Sequence, residues 1–257
     1  MHYFAHVPKC GGKSIEAYLT ERFGELAMVD QHHERPPPGD RWSKSSPQHI
    51  SLRYLERIFP ADWFASSFAV VRNPVTRFAS AYNYRVAILG TIPPGMNAEQ
   101  WFAEYRALEG VSNFLFDNHL RPQDDLVPEN ARVFRLEDGL DGIVPYLDEI
   151  TGDQSGPRRI EHLHETKDEM QDDVRSETLS ARLLAELRSY YARDFERFGY
   201  GDTPQPVNLF VPGKNAYASK TPPSFRDRIR LPLSHDRWPV SRAVKRSIMR
   251  RTGIDLS

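Results

Sequence analysis

The chain has 257 residues, 39% of them hydrophobic and 27% charged, with a formal net charge of −1. That length suits one sizeable α/β domain, and the balanced charge excludes a general nucleic-acid or membrane-surface binder. Cys10 is the only cysteine, so neither an intrachain disulfide nor a cysteine-based metal cluster can form.

In chain order, Tyr3 to Val7 is a short apolar run broken at Pro8 and reads as a strand. Met1 leads directly into it with no basic or apolar leader, and no run approaches the ~20 apolar residues of a membrane span. A soluble protein in the cytoplasm is the expectation. Lys13 to Phe23 reads as the next helix, with Ile15, Tyr18 and Leu19 at helical spacing. His32 to Pro47 is rich in Pro and Ser, hence a long surface loop of the kind that carries function. Ile50, Leu52, Leu55, Ile58 and Phe59 recur at roughly helical spacing, and Ser66 to Val71 is the unbroken apolar run of a buried parallel strand. Pro74 stands at the first position of a helix with Asn73 as its N-cap, and Val75, Phe78, Tyr82 and Val86 line one face. Ala131 to Leu136 is a third strand. The stretch from Ser176 to Tyr200 reads as one helix striped by Leu184, Leu187, Tyr191, Phe195 and Phe198, ended by Gly199. Six prolines from Pro204 to Pro232 then mark an irregular extension. Between Lys220 and Arg251 it holds ten Lys and Arg against two Asp and Glu, either a solvated face or an anion or partner site. One α/β domain is expected, with residues 1–201 as core and 202–257 as a Pro-rich basic extension. Its sheet is mostly parallel, in three layers with helices on either side.

"VPKCGGKSI" places two glycines and two lysines between the first strand and its helix. Peptide N–H groups at such a turn, with the helix start behind them, make an anion site, so the fold is P-loop-like. It is not a Walker A loop: that pattern needs a glycine five residues before Gly12, where Val7 stands. Arg72 leaves the buried strand at the carboxyl edge of the sheet, where open α/β folds bind ligands, and Ser80 lies two helical turns on. A guanidinium with a hydroxyl suits a second phosphate. Two phosphate sites at two strand ends fit a nucleoside with phosphates at both ends.

"HVPKCGGKSI" followed by "VVRNPVTRFASAY" resembles the paired signature of sulfotransferases that use 3′-phosphoadenosine 5′-phosphosulfate (PAPS), in the carbohydrate-type group related to heparan-sulfate 2-O-sulfotransferase. "NHLRPQ" from Asn118, "RVFRLEDGL" from Arg132 and "YYARDFERFGY" from Tyr190 are similar in kind and order, and the likeness runs from His6 to about Tyr200. It implies PAPS as sulfuryl donor, 3′,5′-phosphoadenosine as product, no metal, and a hydroxyl of a carbohydrate, glycan-like or small-molecule acceptor. Lys9 would meet the bridging and sulfonate oxygens and neutralise the leaving group. Cys10, Gly11, Gly12, Lys13, Ser14 and Ile15 would complete the loop, and Arg72 and Ser80 would hold the 3′-phosphate. His49 takes the place of the family's base. His32 and His33 on the long loop and His119 in "NHLRPQ" are its rivals, while His6 reads as a structural residue inside a strand. The chain departs from the family at Cys10 and Lys13, where threonines are frequent. Lys13 adds a cation; the Cys10 thiol is either activated by its lysine neighbours or simply buried. Ala218 to Thr221 is a candidate late loop closing over the nucleotide.

Two alternatives stand beside this reading. One is a P-loop kinase using ATP and magnesium, disfavoured by Val7. The other is a non-catalytic nucleotide-binding protein on the same scaffold. Trp42, Trp63, Trp101, Tyr82 and Tyr84 either stack on an acceptor or pack in the core.

Overall fold

The computed structural model describes residues 1–33, 36, 40–60, 62–93, 95–163, 175–201 and 207–211. Ala218–Thr221 and the basic segment from Lys220 to Arg251 lie outside them.

Strand β2, Ser66–Val71, is the centre of the molecule: Phe68 to Val71 are at most 2% exposed. It has a parallel neighbour on each side, and its faces are covered by the apolar residues of the flanking helices. β1, His2–Ala5, sets Phe4 opposite Phe68, and β3, Arg132–Arg135, sets Arg132 opposite Phe68 on the other side, giving the order β1-β2-β3. Parallel neighbours need long crossovers, and helices supply them. α1 (Gly12–Phe23) and α2 (Leu52–Ile58) lie between β1 and β2; α3 (Pro74–Tyr84) and α4 (Ala98–Leu108) lie between β2 and β3. α5 (Ile143–Thr151) follows β3. A small antiparallel sheet of β4 (Arg175–Thr178) and β5 (Asn208–Val211) brackets α6 (Ala181–Tyr190) and α7 (Ala192–Arg197). The fold is therefore α/β, a three-stranded parallel sheet flanked by helices.

Two apolar clusters fill it. One joins the strands to α1 and α5 through Ile15, Leu19, Ile143 and Leu147. The other joins α3, α4 and α6 around Trp101, Phe78 and Tyr82. Each fully buried side chain of this size contributes about 1.5–3 kcal/mol. Trp101 and Tyr82 are thus core residues, whereas Trp42 and Trp63 are 72% and 50% exposed. Among the described residues no helix is long and apolar enough to cross a membrane.

The elements depart from their sequence patterns in two places. The apolar period that joins Ser176 to Tyr200 is split: Ser176 to Thr178 pair as β4, and Tyr191 (φ −97°, ψ 22°) breaks the helix into α6 and α7. Gly199 (φ 63°) still closes it. Beyond α3 the helix widens into a π-helical turn, Arg85–Leu89, ending at Gly90 (φ 60°).

Candidate active site

All three parallel strands run toward one edge, and the chain leaves them as Val7–Lys9, Arg72–Asn73 and Leu136–Glu137. Lys9 (φ 68°) and Gly11 (φ 78°) both adopt left-handed backbone, which folds the loop back over the start of α1. No side chain caps α1, so its first amides remain available to an anion. Lys13 is exposed, Ile15 is buried in the core, and the Ser14 hydroxyl accepts from the Leu163 amide at 2.9 Å. The Lys9 ammonium lies 3.9 Å from the centre of the Tyr84 ring. Burial, then Lys13, Arg72 and Arg85, push its pKa down to about 8. A cluster of cations that destabilise one another's charge fits a polyanionic ligand, whose binding would relieve the repulsion.

Arg72 is tied to this loop: its Nη1 donates to the Lys9 carbonyl at 3.4 Å and its Nε to Thr76 Oγ1 at 3.1 Å. Ser80 is half-buried one helical turn beyond Thr76, so it shares that face of α3. Among the described residues no hydrogen bond joins Ser80 to Arg72. Asn73 caps α3, accepting from the Val75 and Thr76 amides at 3.0 and 3.4 Å. Cys10 is 1% exposed, and burial pushes its thiol up to about 12. Of the two states open to that thiol, the inert buried one is what the fold makes.

Behind the loop stand three histidines in a row. The rings of His6 and His49 meet edge to face at 4.8 Å, and those of His49 and His119 at 5.2 Å. His49 Nδ1 lies 2.7 Å from Asp117 Oδ2 and 2.8 Å from Ser46 Oγ, while the Ser46 amide and hydroxyl both donate to Asp117 at 2.6 and 2.7 Å. Asn118 Nδ2 donates to the His49 carbonyl at 2.8 Å. Burial opposes the charge on Asp117, but His49, His119 and Ser46 prevail and hold its carboxyl well below the usual range. A carboxylate fixed on Nδ1 holds the proton there and leaves Nε2 as the acceptor.

His119 is less suited to that work. Its Nδ1 faces the Phe116 carbonyl at 2.8 Å, and burial, then Arg85, push it well below the usual imidazole range. His33 is buried with Nδ1 3.7 Å from Asp30, and His32 is exposed; neither contacts the histidine row among the described residues. His6 departs from its sequence reading. It lies beyond the end of β1, with Nδ1 2.7 Å from Glu16 Oε1. Its ring occupies the space a side chain on Gly12 would need: a Cβ there would lie 1.8 Å from His6 Nε2.

Asp117 and Glu16 carry no sequence signal of their own, since a lone carboxylate has no spacing to betray it, whereas Gln123 closes the "NHLRPQ" stretch without that motif saying what it holds. Gln123, fully buried, accepts from the Arg72 amide and donates to the Arg72 carbonyl, both at 2.9 Å, and lies 3.4 Å from the Cys10 sulfur. It therefore bolts the loop to the end of β2. Its own amide and that of Asp124 donate to Asp194 at 2.9 Å each.

Two cavities adjoin this framework. A groove of about 620 Å³ is lined by Trp42, Tyr54, Phe59, Phe114 and the residues flanking Ser46. Trp42 is held at its rim by donating to Asp30 at 2.8 Å. The other, about 630 Å³, follows the outer edge of β3. Its Arg135 and Arg197 are already spent on the carbonyls of Phe198, Gly199, Val127 and Pro128.

A family model described as "Sulfotransferase family" matches residues 3–201. No curated protein and no solved structure matches the chain.

Proposed function

The chain belongs to the sulfotransferase family, and from that premise we propose that it transfers the sulfuryl group of PAPS to a hydroxyl of a carbohydrate or glycan-like acceptor. The observation that carries this is the convergence, at one sheet edge, of an uncapped loop bearing Lys9 with a histidine–carboxylate pair, His49–Asp117. PAPS, when bound, brings the sulfuryl group and a phosphate leaving group. The loop amides, Lys9 and Lys13 suit the 5′ end, and Arg72 with the Ser80 face of α3 suits the 3′-phosphate. Supporting this assignment is the Arg72 clamp on the Lys9 carbonyl, which couples the two sites mechanically.

In the transfer itself, His49 Nε2 takes the proton of the acceptor hydroxyl while Asp117 holds the Nδ1 proton in place. Lys9 balances the charge that develops on the departing phosphate. The aromatic groove beside Ser46 supports an acceptor that presents a flat or apolar face, as a sugar ring does.

Calorimetric titration with 3′,5′-phosphoadenosine, alongside ATP with magnesium, tests the donor. Binding of the bisphosphate that is lost in Arg72→Ala supports it; preference for ATP with magnesium overturns it. Replacing His49 with Ala is expected to abolish transfer and keep nucleotide binding. A fully active variant would remove His49 from the role of base.

A further inference from the structure

His6 and Glu16 form a second buried histidine–carboxylate pair, which the transfer just described does not use. His6 is 9% and Glu16 6% exposed, and their only mutual contact is through His6 Nδ1. His6 Nε2 makes no hydrogen bond among the described residues, yet it lies against Gly12 where a Cβ would project. Side-chain bonds on a helix tilt toward its N-terminus, so Nε2 sits on the side of the first turn where the uncapped amides lie. An unpartnered imidazole nitrogen at the mouth of an anion loop is poorly matched to the empty site, since a bare lone pair repels an anion. It is well matched to an anion that arrives with a proton.

We propose that His6 and Glu16 make donor binding proton-linked: one proton is taken from solvent as the anion enters and is held on His6 Nε2 against it. The other ring proton, on Nδ1, is shared with the Glu16 carboxylate. This rests on the reading of the loop as the donor site. The charge count closes, because the imidazolium is bracketed by Glu16 on one side and the anion on the other. Burial lowers the proton affinity of His6 below that of a free imidazole, while Glu16 restores part of it. The other ionisable groups facing His6 are His49, on the turn before α2, and Asp117. His49 already has its carboxylate. Lys9 titrates near 8, is charged throughout the mildly acidic range, and adds no uptake there.

The test is calorimetry of 3′,5′-phosphoadenosine binding to the full chain in buffers of differing ionisation enthalpy, from mildly acidic to neutral pH. Wild type is expected to take up protons with a limit of about one per nucleotide. The variants Glu16→Gln, which keeps the His6 ring in place, and His6→Asn should both lose that uptake. Each should bind roughly tenfold more weakly in the acidic range, with the gap closing toward neutral pH. The ligand's own phosphate ionisation contributes equally to all three proteins, so the difference between them is the reading. Equal uptake in wild type and variants overturns the proposal alone. Failure of wild type to bind the bisphosphate overturns the donor reading, and the proposal with it.

Discussion

Asp117 has no motif of its own, yet its carboxylate lies 2.7 Å from His49 Nδ1 and, in the proposed transfer, orients that ring as the base. Replacing it with Asn keeps the shape and removes the charge that fixes the Nδ1 proton. We expect kcat to fall by roughly 10²–10⁴-fold while 3′,5′-phosphoadenosine still binds, a split that steady-state kinetics with parallel calorimetry would read. Unchanged kcat would mean that His49 needs no orienting partner. Lys9 sets the alkaline side. Its lowered pKa means that the loop carries that charge below about 8 and loses it as pH rises further. Affinity for the bisphosphate should therefore weaken above that point, and Lys9→Met should flatten this limb of the binding profile. An alkaline limb that persists in Lys9→Met would assign it to another group.

At the scale of elements, the motif-bearing segments act as fasteners for the site. Asp194 in α7 is fully buried and receives the amides of Gln123 and Asp124, and Gln123 in turn grips both Arg72 and Cys10. Asp194→Ala strands two buried N–H groups at about 1–3 kcal/mol each. A lower unfolding midpoint by thermal or urea denaturation is the expected result, and an unchanged one would show that the fastener is dispensable. This dependence explains what was legible in the sequence. β2 was plain because its faces are both covered, which makes Phe68 to Val71 an apolar run without alternation. The Asn73 cap and Pro74 start of α3 were equally plain, since capping chemistry is local. α4 and α5 do not stand out in the sequence pattern, although Asn97 and Gln100 form a reciprocal cap ahead of α4. The split at Tyr191 was hidden because α6 and α7 keep one apolar period across the break. Of the candidate site, the loop and Arg72 follow from motif spacing, while His49 follows from the family resemblance, with His32, His33 and His119 as its rivals. The partnerships of His6 with Glu16 and of His49 with Asp117 depend on contacts between segments up to about seventy positions apart, for which a single sequence has no periodic trace.

Across the whole molecule, the second apolar cluster and the histidine row meet at Phe116–Asn118. Phe116, Asp117 and Asn118 have φ of 52°, 54° and 60°, three consecutive left-handed residues without a glycine. Such backbone costs roughly 1–2 kcal/mol per residue and persists only where the surroundings over-determine it. Here Phe116 packs on Trp101 at 5.4 Å, and Arg85 donates to its carbonyl at 2.9 Å. Trp101→Ala is expected to cost about 3–5 kcal/mol and also to lower kcat without changing bisphosphate affinity, through loss of the support under Asp117. Trp101→Phe should be mild, because among the described residues Trp101 Nε1 has no partner to lose. A kcat that survives Trp101→Ala would uncouple the core from the site. The left-handed turn also behaves as a fuse. We expect it to relax toward ordinary backbone ahead of the rest on warming, carrying Asp117 away from His49. Activity should then fade reversibly below the unfolding midpoint; a loss of activity that coincides with the melting curve would show that the turn is no weaker than the rest.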